Sequence, residues 1–133
     1  MNASTWLGWL LVWGFWMVAT HRQHPTLLLA FIVTTSLVVA YAIVATWNQR
    51  WLVPRYWHSR QWMRYALSLV VSMLIGTAVA LAIIRAAYIA SLGPDPDPYG
   101  AYKHYAIDLF GMVVHVAVSA WIANRFTQSR SAP

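Results

Sequence analysis

The sequence predicts an all-α membrane protein, a single domain of four transmembrane helices within residues 1–133. The chain is 60% hydrophobic and only 9% charged, whereas soluble domains carry about 25% charged residues. Its apolar residues fall into four long runs that polar or proline-containing segments separate. Arginine, tryptophan and tyrosine concentrate between the two central runs, as they do at membrane–water interfaces. We therefore expect four spans arranged as two antiparallel hairpins.

The first predicted span covers residues 5–20 and carries four tryptophans, Trp6, Trp9, Trp13 and Trp16. Spacings of three and four residues put these indoles on one stripe of a helix. Two interpretations stay open. The stripe either faces lipid or the chain's own helices, or it docks against a neighbouring subunit, a lipid or a flat pigment. The four tryptophans are therefore a candidate interface for a partner, a lipid or a pigment.

The second predicted span covers residues 26–47, and residues 48–65 follow it as a cytoplasmic hinge. Arginines alternate with aromatic residues in this hinge, which suits phospholipid headgroups because guanidinium groups bind phosphate and indoles lie at headgroup depth. Basic and aromatic residues can also bind nucleic acid, but the long apolar runs on both sides favour the membrane. The predicted headgroup contacts are Arg50, Arg55, Arg60, Arg64, Trp51, Trp57 and Trp62.

The third and fourth predicted spans cover residues 66–91 and 104–124, joined by a proline-rich loop that cannot be helical. Ionisable groups are costly inside a bilayer, so each needs a partner or a function. Arg85 and Asp108 lie at similar distances from the outer ends of their spans. We predict an intramembrane ion pair between them, which acts either as a structural latch or as part of a proton or ion relay.

His115 lies near the middle of the fourth span, and Gly111 precedes it by four residues. A small residue at this spacing leaves room for a flat macrocycle, and imidazole can ligate the metal of a haem or a chlorophyll. The segment resembles the Ala-x-x-x-His element of bacterial light-harvesting polypeptides, with glycine in place of alanine. The resemblance implies that His115 is a candidate tetrapyrrole ligand. The alternative is a structural histidine whose hydrogen-bond partner is Thr34, Thr35, Thr77 or Asp108.

A second resemblance lies in the hinge, where Leu52-Val53-Pro54-Arg55-Tyr56 precedes a basic patch and Arg64-Tyr65-Ala66-Leu67. This pattern resembles the cytosolic loop in the membrane-sensing region of LytS-type sensor histidine kinases. The resemblance implies a membrane sensor module. The family's kinase domain and its phosphoacceptor histidine have no counterpart in this sequence, so we expect no kinase activity and transfer no catalytic residue.

The positions of the nine arginines and lysines predict the orientation of the chain. Hinge and C-terminal tail carry six of them, the other side carries Arg22 and Lys103, and Arg85 lies within a span. Because positive residues stay on the cytoplasmic side, we expect both termini and residues 48–65 in the cytoplasm. The start of the chain lacks a basic segment of the kind that opens a signal peptide. These features favour the bacterial cytoplasmic (inner) membrane.

The sequence does not predict an enzyme, because it has three acidic residues, no cysteine and no recognisable catalytic or metal-binding spacing. No cofactor is required, although bacteriochlorophyll or a bound lipid are candidates. We expect a non-catalytic accessory subunit that packs into and stabilises a larger membrane assembly, such as a photosynthetic reaction-centre, antenna or respiratory complex. Its partners would be other membrane subunits and lipids, not nucleic acid. The alternatives are an orphan sensor module related to LytS-type input domains and a tetrapyrrole binder.

Overall fold

The computed structural model describes the backbone of residues 3–94 and 100–130 and the side chains of residues 5–94 and 104–123. Four α-helices follow one another: α1 (Ala3–Thr20), α2 (Leu27–Trp47), α3 (Trp62–Leu92) and α4 (Gly100–Arg130). A 3₁₀ turn at His21–Gln23 follows α1, and a π-helix at Asn48–Trp57 follows α2. No strand occurs in the described ranges, which confirms the all-α prediction. Most of the predicted proline-rich loop falls on residues 95–99, outside the described part.

Three helical segments are long and apolar enough to cross a membrane: Leu27–Trp57, Trp62–Leu92 and His104–Ala123. A helix of 31 residues is about 46 Å long, whereas the hydrocarbon core of a bilayer is about 30 Å thick. The remaining helix, α1, has 18 residues and is therefore about 27 Å long. These lengths support the prediction of a membrane protein.

The second helix, α2, is the centre of the fold, because it packs against α1, α3 and α4. Its buried residues recur every three or four positions and include Ala30, Thr34, Val38, Tyr41 and Ala45. The same spacing continues into the π-helix, where Asn48 and Leu52 are buried. Contacts join α1 to α2 and α3 to α4, the pairs that the sequence predicted as hairpins, and α2 also joins the two pairs; the arrangement as two antiparallel hairpins across a membrane stays a prediction.

The closest packing joins α2, α3 and α4. A Cβ atom added to Gly76 of α3 would lie 2.8 Å from Cγ2 of Val44. On α4, Met112 and Val116 are buried in one cluster with Tyr41 and Val44. A residue without a side chain lets two backbones approach, which is a common way to pack helices in a membrane. The core therefore lies around the middle of α2.

The segment predicted as a hinge, residues 48–65, is largely helical. The chain continues from α2 through the π-helix, and the backbone N–H of His58 donates to the carbonyl of Val53, 3.3 Å away. Arg60 then turns the chain with a left-handed φ of 56°. The hydroxyl of Tyr65 donates to Oδ1 of buried Asn48, 2.9 Å away, and so ties the start of α3 to the end of α2. The true connection is only residues 58–61.

Candidate functional site

One end of the bundle holds a cleft with a volume of about 1310 Å³. All four helices line it: the end of α1, the middle of α2, the second half of α3 and the start of α4. Along α3 the cleft extends from Ala78 to Leu92, a length of about 21 Å at 1.5 Å per residue. The arginine-rich segment, residues 48–65, lies at the other end of the bundle. The cleft therefore belongs to the less basic side of the protein.

An aromatic cluster of Trp16, Tyr41 and His115 closes the inner end of the cleft. The ring of Tyr41 stacks on His115 with centroids 4.6 Å apart and an interplanar angle of 26°. Trp16 donates its indole N–H to Nε2 of His115, 3.2 Å away, and Nδ1 of His115 lies 2.7 Å from the carbonyl oxygen of Gly111. A carbonyl oxygen can only accept, so Nδ1 carries the proton and Nε2 accepts from Trp16. These two contacts assign a neutral imidazole.

The space beside Gly111 is filled by Tyr41. A Cβ atom added to Gly111 would lie 2.7 Å from the hydroxyl oxygen of Tyr41, and that hydroxyl donates to the backbone carbonyl of Asp108 at 3.3 Å. Both nitrogens of His115 are engaged, so a metal at Nε2 would have to displace Trp16. This arrangement does not fit a tetrapyrrole macrocycle.

The partners of His115 also differ from the threonines and the aspartate that the sequence offered as alternatives. They are Trp16 of α1 and the backbone of Gly111, one turn earlier on α4. Sequence reasoning singled out Trp16 and His115 separately and missed Tyr41 altogether. A tyrosine in an otherwise apolar span was the one signal, because its hydroxyl needs a hydrogen-bond partner.

The tryptophan stripe of α1 faces the bundle along most of its length. Trp9 packs against the core cluster, and Trp13 donates its indole N–H to the hydroxyl of Thr35, 3.0 Å away. Together with the hydrogen bond of Trp16, these contacts match the intra-bundle interpretation. Trp6 is 58% exposed. Trp16 is 37% exposed, so both Trp6 and Trp16 remain accessible for the predicted interface with a partner, lipid or pigment.

A hydrogen bond at the rim of the cleft joins the segment before α2 to α3. The hydroxyl of Tyr88 and Nδ1 of His24 are 2.6 Å apart. Burial lowers the pKa of His24 below its ordinary value of 6.5, because the charged imidazolium loses solvation there. The neutral imidazole is therefore favoured at this position.

Arg85 and Asp108, which the sequence predicted to form an ion pair, both line the cleft. Both side chains are described, and no ion pair joins them in this structure. Pairing between them stays a prediction. The guanidinium of Arg85 is exposed in the cleft and has no hydrogen bond or ion pair with another described residue. The carboxyl group of Asp108 is half-buried. The structure thus brings the two groups to one cavity without joining them.

The seven residues predicted to contact lipid headgroups lie at the opposite end of the bundle, and all are exposed. Trp57 packs edge-on against Trp62 with centroids 4.1 Å apart, and Arg64 donates to the side-chain carbonyl of Gln61 at 2.9 Å. These rings and guanidinium groups form an accessible surface. Headgroup contact there stays a prediction.

The described side chains include no group of three or more histidine, aspartate or glutamate residues that could hold a metal ion. The cleft has mostly apolar walls, with polar side chains at the rim, such as His24 and Tyr88, and further inside, such as Thr34 and Asp108. A scan of the chain against protein-family models gave no match, and comparisons with curated proteins and with solved structures gave none either.

Proposed function

We propose that this chain is a non-catalytic membrane protein that binds a guest molecule in the cleft of its helical bundle. The observation that carries the proposal is the cleft itself, with a volume of about 1310 Å³ and walls from all four helices. Ligand sites are typically concave and mostly apolar, occupy about 300–1,000 Å³ and contain a few placed polar groups. A binding module of this kind agrees with the sensor alternative among the sequence-based predictions.

Specific contacts between the helices hold the cleft open. Tyr105 of α4 donates to the carbonyl of Leu74 of α3, 3.1 Å away, and the hydrogen bonds of Tyr41 and Tyr88 join α2 to α4 and the rim to α3. Empty space between helices forfeits dispersion contacts. A cleft of this size inside a bilayer is therefore expected to be filled by a molecule from its surroundings.

Filling the cleft with a bulky side chain tests this function. Ala82 lines the cleft, whereas Ala86, one turn further along α3, is exposed and does not line it. Purified wild-type protein and the variant Ala86→Trp should carry a bound molecule in native mass spectrometry, and Ala82→Trp should lose it. Circular dichroism would verify equal helix content. A wild-type protein without a bound molecule, or equal retention in both variants, would contradict the proposal.

We also propose that the chain crosses a bacterial cytoplasmic membrane four times, with both termini and residues 48–65 in the cytoplasm. The exposed arginines of residues 48–65 support this orientation, because positive residues stay on the cytoplasmic side. The cleft would then open toward the outer leaflet. The length of α1, about 27 Å, is slightly less than the thickness of the hydrocarbon core, a mismatch that local thinning of the bilayer accommodates.

A second candidate function is that of an accessory subunit in a larger membrane assembly, photosynthetic or respiratory. It is favoured by the exposed apolar surface of α3 and α4. In the segment Leu27–Trp57, 39% of the most apolar stretch is buried within the chain, but in α3 and in α4 only 11% is buried. These two helices therefore have apolar surface that a partner subunit could cover. Purification in mild detergent tests it. Stoichiometric migration with a large complex would support this function, and an isolated chain or a simple dimer would count against it.

A further inference from the structure

We infer that the guest of the cleft is an anionic phospholipid from the surrounding bilayer, with its phosphate at Arg85 and an acyl chain along the inner part of the cleft. This inference rests on the proposed function and names the ligand. It is carried by the position of Arg85, by the absence of a hydrogen bond or ion pair between Arg85 and any described residue, and by the mostly apolar wall of the cleft on the inner side of Arg85.

The depth of Arg85 matches the boundary between headgroups and acyl chains. The midpoint of α3 (Trp62–Leu92) is residue 77, and Arg85 lies eight residues further, about 12 Å along the helix. The hydrocarbon core extends about 15 Å from the bilayer centre. A guanidinium within a few ångströms of this boundary is well placed for a lipid phosphate, which it can bind with two parallel hydrogen bonds.

The described residues offer Arg85 no counter-charge. Asp108 is their one acidic side chain, and it is not paired with Arg85. Asp108 lies seven residues from the midpoint of α4, residue 115, about 10 Å along the helix, so its depth is similar to that of Arg85. The two side chains line the same cleft without an ion pair between them. Arg85 is therefore available to an anionic group from outside the chain.

The inner part of the cleft suits an acyl chain. From Arg85 to Ala78 the wall on α3 extends about 10 Å toward the bilayer centre and includes Leu81. The facing side chains of α2 include Leu37 and Val38, with Thr34 as a polar exception. The hydroxyl of Tyr41 is committed to the carbonyl of Asp108. An apolar tail inside and a charged group at Arg85 together define an anionic amphiphile. A zwitterionic lipid could fill the same volume but would gain less from Arg85.

The test compares the lipids that the protein retains from mixed micelles of phosphatidylglycerol and phosphatidylcholine in equal amounts, counted by native mass spectrometry. We expect wild type to enrich phosphatidylglycerol several-fold. Both lipids offer a phosphate to Arg85, but the choline cation of phosphatidylcholine offsets the attraction between its headgroup and the guanidinium. Arg85→Gln should still retain lipid but without this preference. Arg22→Gln, which removes an exposed arginine that does not line the cleft, should keep the preference. Ala82→Trp should retain neither lipid.

Two further variants control for misfolding of Arg85→Gln and for pairing of Arg85 with Asp108. Arg85→Lys keeps the positive charge and should preserve part of the preference even if Arg85→Gln folds poorly. Asp108→Asn should leave the preference unchanged or increase it, because it frees Arg85 from any competing carboxylate.

Equal enrichment in wild type and Arg85→Gln, or no enrichment in wild type, would overturn the inference. The proposed function would survive that result as long as Ala82→Trp still releases the guest. Retention of both lipids by Ala82→Trp would instead refute binding in the cleft.

Discussion

Single residues show where sequence reasoning reaches its limit in this protein. The pair Gly111 and His115 suggested room for a macrocycle, because spacing along one helix reveals which of its faces is small. It cannot reveal what fills the space. Here the filling group is Tyr41 from another helix, 70 positions away along the chain. The residues of the cluster were visible in the sequence, but their meeting point depends on how three helices pack.

The packing of Tyr41 against Gly111 predicts that Gly111→Ala destabilises the fold. The added methyl group would lie 2.7 Å from the Tyr41 hydroxyl oxygen, while the next atom of that ring is 3.5 Å away. Overpacking of this kind costs about 1–3 kcal/mol, measured as the free energy of unfolding in detergent. The double variant with Tyr41→Phe should recover part of the loss.

The matched control for Gly111→Ala is Gly8→Ala, because an added Cβ at Gly8 meets nothing within 4 Å. This change should leave stability unchanged or raise it by up to about 1 kcal/mol, the difference in helix propensity between alanine and glycine. Equal stability of wild type and Gly111→Ala would show that Tyr41 does not depend on the small residue.

The hydrogen bond from Trp16 to His115 predicts an energetic coupling between α1 and α4. In a double-mutant cycle with Trp16→Phe and His115→Leu, we expect a coupling of about 1 kcal/mol, within the range measured for hydrogen bonds between membrane helices. A cycle with Trp6→Phe and His115→Leu serves as the control, since Trp6 is exposed. Strict additivity of Trp16→Phe and His115→Leu would contradict the bond. Absorption bands lost in His115→Leu but kept in Trp16→Phe would instead support the tetrapyrrole prediction.

At the scale of elements, the apolar runs and the segments that separate them predicted most of the helices. The second span was predicted at 26–47 and α2 is Leu27–Trp47, with the hydroxyl of Thr26 accepting from the N–H of Leu29 at 3.2 Å. The continuation of α2 as a π-helix was not predictable from Pro54 and the polar residues around it, which suggested a break. The buried bond between Asn48 and Tyr65 holds this segment against α3.

The segment between α1 and α2 predicts a pH dependence of stability. Because burial lowers the pKa of His24 in the folded protein, the folded state binds fewer protons than the unfolded state at this residue. The unfolding free energy should therefore be constant above pH 6.5, the ordinary pKa of histidine, and should fall as the pH is lowered through that value toward the lowered pKa. Thermal unfolding in detergent at a series of pH values measures it.

Two variants assign this pH dependence to His24. In His24→Gln the decrease below pH 6.5 should become smaller, whereas His21→Gln, at an exposed position, should keep the wild-type profile. If His24→Gln and wild type lose stability in parallel on acidification, the effect arises from other histidines.

At the scale of the whole molecule, the sequence predicted the fold class but not the central position of α2. In a soluble bundle a polar face marks the side of a helix that points outward. Here every long helix is apolar on all sides, since lipid replaces water around it, so that signal is missing. The burial of α2 follows from the small and polar residues along one stripe, such as Ala30, Thr34 and Ala45, which only the packed structure distinguishes from similar residues elsewhere.

The proposed topology predicts which residues an impermeant reagent can reach. The chain has no cysteine, so single cysteines can be introduced without background at four exposed positions: Thr5, Gln23, Ser59 and Ser91. In intact bacterial cells, a charged maleimide should label Gln23→Cys and Ser91→Cys from outside. Thr5→Cys and Ser59→Cys should react only after the membrane is opened, because four crossings place them in the cytoplasm. Labelling of Thr5→Cys from outside together with Gln23→Cys would mean that α1, the shortest α-helix at 18 residues, does not cross the bilayer. In that case three spans would remain, the cleft would lose its membrane-embedded fourth wall, and its guest would have to enter from the surface.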